Sequence, residues 1–347
     1  MEPISHIDSN QGLLFFRGLN ATELAETSRF EDVAFLLVYG NLPDGRKRIQ
    51  FRRKLTKLRE IGERNIDTLL STTGEIQESS TSDRPYVLET RGLRKLAEKL
   101  DTYGNIHELN AVDKMLLFMS TAPSVAAAEW RKMHGKTRIA SSDSLHHGAD
   151  FLWMLNGTSL NDPDSKDLDS CLILHMDDPE NPSLAALQST YAATGSVSEA
   201  TVAALDKHVG PLHHGAGTEA MRMITEIEGH PQVSSLLAEK LERGEKIYGL
   251  GHRIYRTIDP RAKFLRELLK RRAEVDQRWA KRLESIEEIA KQGSRLLLEK
   301  KGKVVHPNVD LYNAAAYESF GIPYSLNTDL FAIARSAGWA AHVSEWQ

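Results

Sequence analysis

The sequence predicts a mainly α-helical protein of two domains with a short β-hairpin at its N-terminus. Apolar residues recur at helical spacing along most of the 347 residues, and helix-start signals punctuate them at Asn20, Ser196 and Asp259. Beyond Gly18 no alternating run marks a further strand. At about 100–200 residues per domain the length corresponds to about two domains and a sizeable core.

The elements follow in order. Apolar residues from Ile4 to Gly18 flank the turn-forming Asp8-Ser9-Asn10-Gln11-Gly12, which predicts a two-strand hairpin. Asn20 with Glu23 forms a capping box, Phe30 to Tyr39 is an apolar helix stopped by Gly40, and Pro43 opens the next helix. Ser71 to Arg84 is polar and reads as a loop. Asn110 starts a helical pattern that Pro123 interrupts and Val125 to Met133 resumes, so two helices around a break are expected. Leu145 to Leu155, Leu168 to Met176, Leu184 to Ala193 and Val197 to Val209 are short apolar helices, the last opened by Ser196 and Glu199. A new helix is expected near Thr218. Asp259 caps a helix with Pro260 in its first position, and Glu274 to Lys301 continues at helical spacing. Asn308 caps a segment reaching Phe320, and Asp329 begins a final helix through His342. No Gly/Ser/Pro-rich linker or tandem repeat is visible, so the domains are expected to share helices or to be crossed by the chain more than once.

Composition excludes several classes. Lys+Arg number 44 against 48 Asp+Glu, a formal charge of -4, with 41% hydrophobic residues and one cysteine, which rules out a disordered chain or a disulfide scaffold. The longest unbroken apolar run, Val33 to Tyr39, falls far short of the roughly 20 residues that cross a bilayer, and no signal-peptide pattern opens the chain. The expectation is an untargeted, cytoplasmic protein with no membrane partner. Basic residues dominate Arg46 to Arg59, but Ile49, Phe51, Leu55 and Leu58 interleave them at helical spacing. That is a solvated helix face rather than a nucleic-acid surface.

The thirteen histidines are the unusual feature. His146-His147 and His213-His214 lack the i, i+4 spacing of the known helical zinc sites, so no metal is assigned. His213 instead stands where Gly210-Pro211-Leu212 meets the start of a helix, and His252 lies in Tyr248-Gly249-Leu250-Gly251-His252-Arg253. Asp310 sits in the first turn after His306-Pro307-Asn308. Each alone fits an ordinary loop or helix-start residue. Two imidazoles and a carboxylate at three loop-to-helix junctions also suit a general acid/base set built from separate segments.

Four strings, Gly210-Pro211-Leu212-His213, Gly251-His252-Arg253 with Asp259-Pro260-Arg261, Pro307-Asn308-Val309-Asp310, and Leu330-Phe331-Ala332-Ile333-Ala334-Arg335, resemble the citrate synthase family in order and spacing. The likeness extends over nearly the whole chain. It implies an all-α homodimer with a large domain, 1–212 plus 322–347, closing over a small one, 213–321. It also implies condensation of acetyl-CoA or another acyl-CoA with oxaloacetate or a related 2-oxo acid, releasing CoA, with small-molecule substrates only and no metal or redox cofactor. In the roles the resemblance implies, Asp310 is the base that takes the thioester's α-proton, and His213 donates to the thioester oxygen. His252 donates to the keto oxygen, His175 belongs to the 2-oxo acid site, and Arg261 and Arg335 hold carboxylates beside Phe331. Arg256 and Lys303 match positions that contact CoA phosphates. The base faces a step uphill by roughly 15 pK units, about 20 kcal/mol at 1.36 kcal/mol per unit, so electrostatic stabilisation of the enol is required.

The sequence departs from the family pattern in two places that matter. His175-Met176-Asp177-Asp178 stands where the family has His-x-Asp-His, so an acid replaces a substrate-binding histidine and repels a dianion. The family's C-terminal tail, with an arginine that crosses the dimer, has no counterpart after Trp346; losing one partner of a buried ion pair costs about 3–5 kcal/mol. His214 and Gly217 stand where the family has Gly and Asn. These changes favour two alternatives, a paralogue using a less charged 2-oxo acid and a non-catalytic relative retained for binding or regulation.

Overall fold

The computed structural model describes residues 2–71, 90–209 and 215–346. The described residues form seventeen α-helices and one small sheet, a mainly α fold. Most of the loop expected at 71–84 lies outside them, as do His213 and His214. The chain divides into two compact units, 1–6 with 15–210 and 328–347, and 7–14 with 211–327.

The N-terminal segment adds one strand to the expected hairpin. Strands β1 (Ser5–Asp8), β2 (Leu13–Phe16) and β3 (Leu19–Asn20) lie in that order, with Phe15 opposite Asn20 and Phe16 opposite Leu19. The Asp8 side chain accepts from the Asn10 and Gln11 N–H groups, and Gly12 (φ 66°) closes the turn onto the Asp8 carbonyl. A Cβ at Gly12 would stand 2.7 Å from Thr257 Cγ2, so the tip of the turn belongs to the second unit and needs glycine.

In the first unit the helices begin with Ala21–Thr27, capped by Asn20, and Phe30–Tyr39, ended by Gly40 in the left-handed conformation. Gly45–Glu63 is capped by Asp44 one residue after Pro43, and it buries Phe51, Leu55 and Leu58 while most of its cations face solvent. Ile66–Ser71, Arg91–Ala97 and Leu100–His107 follow. Ala111–Met133 is one continuous helix with Pro123 inside it, not two around a break. Proline in a helix costs about 3 kcal/mol, but every residue from Met115 to Glu129 is buried, and the apolar burial on both sides outweighs that local cost. His147–Asn156, Asp162–Ile173, Pro182–Thr194 and Val197–His208 complete the run, and Asn327–Glu345 adds the buried Trp339 and Arg335.

In the second unit Gly215–Ile227 presents Met221, Met223, Ile224 and Ile227 to the core, and Val233–Glu242 follows. The long amphipathic stretch is two helices, Pro260–Val275 and Gln277–Lys301, because Asp276 leaves the helical conformation (φ -142°, ψ 113°) and caps the second with its side chain. The segment after Asn308 is a 3-10 turn, Val309–Leu311, then the short helix Asn313–Glu318 and a second 3-10 turn, Tyr324–Leu326.

Candidate active site

In the second unit, two glycine-flanked segments far apart in sequence run antiparallel. Leu250 bridges to Pro307, the Gly251 N–H donates to the His306 carbonyl at 2.8 Å, and the Asn308 N–H donates to the Gly249 carbonyl at 2.9 Å. The Asn308 carboxamide closes the arrangement, donating to the Gly251 carbonyl at 2.6 Å and accepting from the Asp310 N–H at 3.0 Å. Gly249 has φ 81°, and a Cβ there would stand 2.5 Å from Leu311 Cβ, so only glycine permits this approach. The result carries His252 and the Asp310 turn on one small ladder.

Asp259 fixes the third side. It is fully buried, caps Pro260–Val275, and accepts from Arg261 at Nε (3.0 Å) and Nη2 (2.9 Å) and from the Arg261 N–H. Its second oxygen also accepts from the Val309 N–H at 3.2 Å, which ties the Arg261 helix to the residue before Asp310. Burial pushes the Asp259 carboxyl up, but Arg261 and His252 more than offset that and hold it below the ordinary carboxylate value. Asp259 therefore remains the anion that orients Arg261.

His252 has its tautomer set by the backbone. Its Nδ1 accepts from the Ile254 and Tyr255 N–H groups, each at 3.1 Å, so the proton resides on Nε2. That Nε2 lies 3.4 Å from Arg261 Nη2 and 4.0 Å from Asp259 Oδ2. Two N–H donors side by side form an arrangement suited to an anionic or carbonyl oxygen. Asp310 supplies the complementary function, because burial pushes its carboxyl up to about 7, with Arg261 opposing and Asp259 adding to the rise. A carboxylate with that affinity for protons is a far better base near neutrality than an ordinary aspartate.

The first unit gathers the other expected substrate residues. His175 is buried and its Nδ1 donates to the Cys171 carbonyl at 2.7 Å, while Phe331 meets the imidazole edge-on at 4.4 Å between centroids. Arg335, fully buried, donates from Nε to the His175 carbonyl at 2.8 Å. Behind them lies Asp177, which accepts from Ser5 Oγ and from His342 Nε2 at 3.1 Å. Burial raises its carboxyl, and His342, Arg335 and Ser5 together hold it below the ordinary value. A Cβ on Gly338 would stand 2.5 Å from Asp177 Oδ1, so the last helix needs glycine there. Asp178, the acid in place of a histidine, is 9% exposed and accepts from the Glu180 N–H at 3.1 Å.

The structure thus brings together His252, Arg261 and Asp310 in one unit and His175, Phe331 and Arg335 in the other. His213 lies outside the described residues. Arg256 and Lys303 are exposed side chains of the second unit. Sequence reasoning missed the parts played by Asp259 and Asp177. The first had a local signal, an Asp two residues before an Arg at a helix start; the second had none, since Ser5 and His342 are more than 160 residues away.

One further cluster, Glu31, His146 and Asp169, has ligand atoms within 4.8 Å of one another. Its carboxylates already accept from the His147 and Gly148 N–H groups at the start of His147–Asn156, and Arg29 and Arg52 stand 3.6 and 3.9 Å away. The charges of two guanidinium groups and a helix N-terminus make this a structural ion network rather than a cation site.

The family model described as "Citrate synthase, C-terminal domain" matches residues 2–347. The citrate synthase of Acidithiobacillus ferridurans is 34% identical over 348 residues, covering 99% of this chain and 88% of the relative. A 2-methylcitrate synthase of Shewanella oneidensis is 28% identical over 340 residues, covering 96% and 84%. The crystal structure of citrate synthase from Thermotoga maritima superposes with a TM-score of 0.80 at 31% identity, covering 99% of this chain and 87% of that one. The chain belongs to the citrate synthase family.

Proposed function

We propose that this protein is an acyltransferase of the citrate synthase type, which condenses acetyl-CoA or propionyl-CoA with oxaloacetate or a related 2-oxo acid and releases CoA. The observation that carries the reading is the pairing of the two glycine-flanked segments, which puts His252 and the Asp310 turn on one ladder, with Asp259 tying Arg261 to Val309, His252 Nε2 carrying the imidazole proton, and burial raising the Asp310 carboxyl to about 7. Asp310 takes a proton from the carbon next to the thioester carbonyl, with His213 donating to the carbonyl oxygen. The enol carbon attacks the keto carbon of the 2-oxo acid, forming the carbon–carbon bond, and the keto oxygen becomes a hydroxyl by taking the His252 Nε2 proton. Water then cleaves the thioester, giving a carboxylate and free CoA. Arg261 and Arg335 pair with substrate carboxylates, Phe331 packs beside the reacting carbons, and Arg256 and Lys303 meet the CoA phosphates. The protein works as a homodimer without a metal or redox cofactor.

Asp178 favours a second reading within the same chemistry, a 2-oxo acid with less negative charge than oxaloacetate. A buried acid in the His175 segment disfavours a dianion and tolerates a monoanion. Release of free CoA, followed with a thiol reagent for acetyl-CoA with oxaloacetate, propionyl-CoA with oxaloacetate, and acetyl-CoA with pyruvate, separates these. Turnover with any pair supports the proposal. Binding of CoA and dicarboxylates by calorimetry without turnover of any pair supports a non-catalytic relative instead.

A further inference from the structure

The turn at the tip of the N-terminal hairpin packs onto the loop that carries His252. Both belong to the second unit, which takes in residues 7–14 as well as 211–327. The Arg256 N–H donates to the Ser9 carbonyl at 3.0 Å. Gly12 is buried although Asn10 and Gln11 beside it are exposed, and a Cβ on it would stand 2.7 Å from Thr257 Cγ2 and 3.0 Å from the Ile258 carbonyl oxygen. The turn therefore meets three consecutive residues, 256, 257 and 258.

Those residues continue directly from the groups that fix the imidazole. His252 Nδ1 accepts from the Ile254 and Tyr255 N–H groups, and the next N–H along the chain, that of Arg256, is the one the Ser9 carbonyl takes. After Ile258 comes Asp259, whose carboxylate lies 4.0 Å from His252 Nε2 and holds Arg261. Tyr255 fills the centre: it is buried, its ring centroid is 4.7 Å from that of His252, and the Arg261 guanidinium lies 5.9 Å from the same ring. Residues 252–258 form no helix or strand of their own. A stretch without an internal ladder of hydrogen bonds is held by whatever other segments bond to it, and here the hairpin tip is such a segment.

We propose that Ser9, through its carbonyl, and Gly12, through the side chain it lacks, are positioning residues for His252. The hairpin tip holds the 252–258 loop so that Nε2 presents its proton where the keto oxygen binds. Their part in turnover rests on His252 acting at that oxygen. Misplacing a reacting group by about 1 Å can cost on the order of 10²-fold in rate, so a small push on this loop is enough to be read in kcat.

Gly12→Ala tests the contact, with Gly18→Ala as its control. Both glycines lie in the N-terminal segment with positive φ, 66° and 79°, so the backbone strain is alike, but a Cβ at Gly18 meets only the Glu2 side chain, at 3.5 Å or more. Gly12→Ala is expected to lower kcat for CoA release about tenfold, roughly 1.4 kcal/mol of barrier, with the KM for the acyl-CoA unchanged, and Gly18→Ala to leave kcat within about twofold. Thr257→Ser removes the methyl group that the new Cβ would strike. Combined with Gly12→Ala it should recover part of the lost kcat, while alone it changes little. Equal kcat in Gly12→Ala and Gly18→Ala, or no recovery in the double variant, overturns the proposal. The resting protein gives a second readout by nitrogen NMR of isotopically labelled histidine, with His252 assigned from the signals missing in His252→Gln. At about pH 9, where an ordinary histidine is neutral, wild type and Gly18→Ala should show Nδ1 as a bare acceptor and Nε2 as protonated. In Gly12→Ala the two signals should move towards each other as the tautomers mix, and unmoved signals overturn the proposal. A wild type that turns over no substrate pair removes the catalytic role of His252 together with the proposed function, while the nitrogen signals still decide whether the hairpin tip sets the imidazole.

Discussion

Replacing Asp310 with asparagine should make the protein more stable and at the same time disable it. Burial raises the carboxyl from 3.8 to about 7 in the folded state, a rise of roughly 3 units, or about 4 kcal/mol at 1.36 kcal/mol per unit. The sign follows from which state holds the proton. Below about pH 4 both folded and unfolded chains carry it and the group contributes nothing. Between about pH 4 and pH 7 the folded chain keeps a proton that the unfolded chain has lost, so stability falls as pH rises; above about pH 7 the penalty is complete. Asparagine resembles the protonated form and removes the penalty. Because the Asp310 side chain is partly accessible, about 1–4 kcal/mol is the range to expect at about pH 8, and close to zero at about pH 4. Urea denaturation of both proteins at the two pH values measures it, and a CoA-release assay should fall by about 10²–10⁴-fold in the variant. An asparagine variant that is less stable than wild type at the higher pH, or that retains activity within tenfold, would refute the reasoning about burial or about the base.

Other substitutions probe the frame around that carboxylate. Asp259→Asn removes the buried charge that accepts from Arg261 Nε and Nη2 and should cost about 3–5 kcal/mol in urea unfolding, with a higher KM for the 2-oxo acid; a loss under about 1 kcal/mol would show that Asp259 does not hold Arg261. Gly249→Ala should cost more than Gly302→Ala in thermal melts, since both have positive φ (81° and 62°) but only Gly249 lacks room, and only Gly249→Ala should lower kcat. Equal effects would mean that the approach of Leu311 is not tight. Asp177 has a folded value below 3.8, so it contributes stability above that pH which is lost as pH falls through the lowered value. Acid titration of Asp177→Asn should lack that part of the wild-type loss, and matching curves would contradict the buried anion.

Much of this frame was legible because its determinants are local. Asn20, Gly40, Asp259 with Pro260, and Asn308 each mark an element boundary through a side chain or a φ angle that acts within four residues. What the sequence hid depends on tertiary context. Pro123 reads as a break, but burial along both flanks keeps the helix whole. Asp276 is one charged residue in a long charged pattern, and nothing in its spacing says that the chain bends there. Glu31 lies within an apolar helix, and its partners are at 146 and 147, where the helix His147–Asn156 starts. His252 and Asp310 were recognisable as glycine- and proline-flanked groups, yet the value near 7 for Asp310 follows from burial, which no local motif reports. The need for glycine at 217 is hidden for the same reason, since the side chains packed against it come from 313 and 327.

The claim on which the account turns is that Asp310 removes a proton from the carbon beside a thioester. Condensation in deuterium oxide, with the methyl and methylene protons of an acyl-CoA followed by nuclear magnetic resonance, observes that step itself. The wild-type protein should carry deuterium into the α-position of the acyl-CoA or release CoA with loss of one α-proton, at a rate that rises through about pH 7 as the carboxyl ionises, and Asp310→Asn should do neither. Proton loss at undiminished rate in Asp310→Asn would assign the base to another residue and contradict the account.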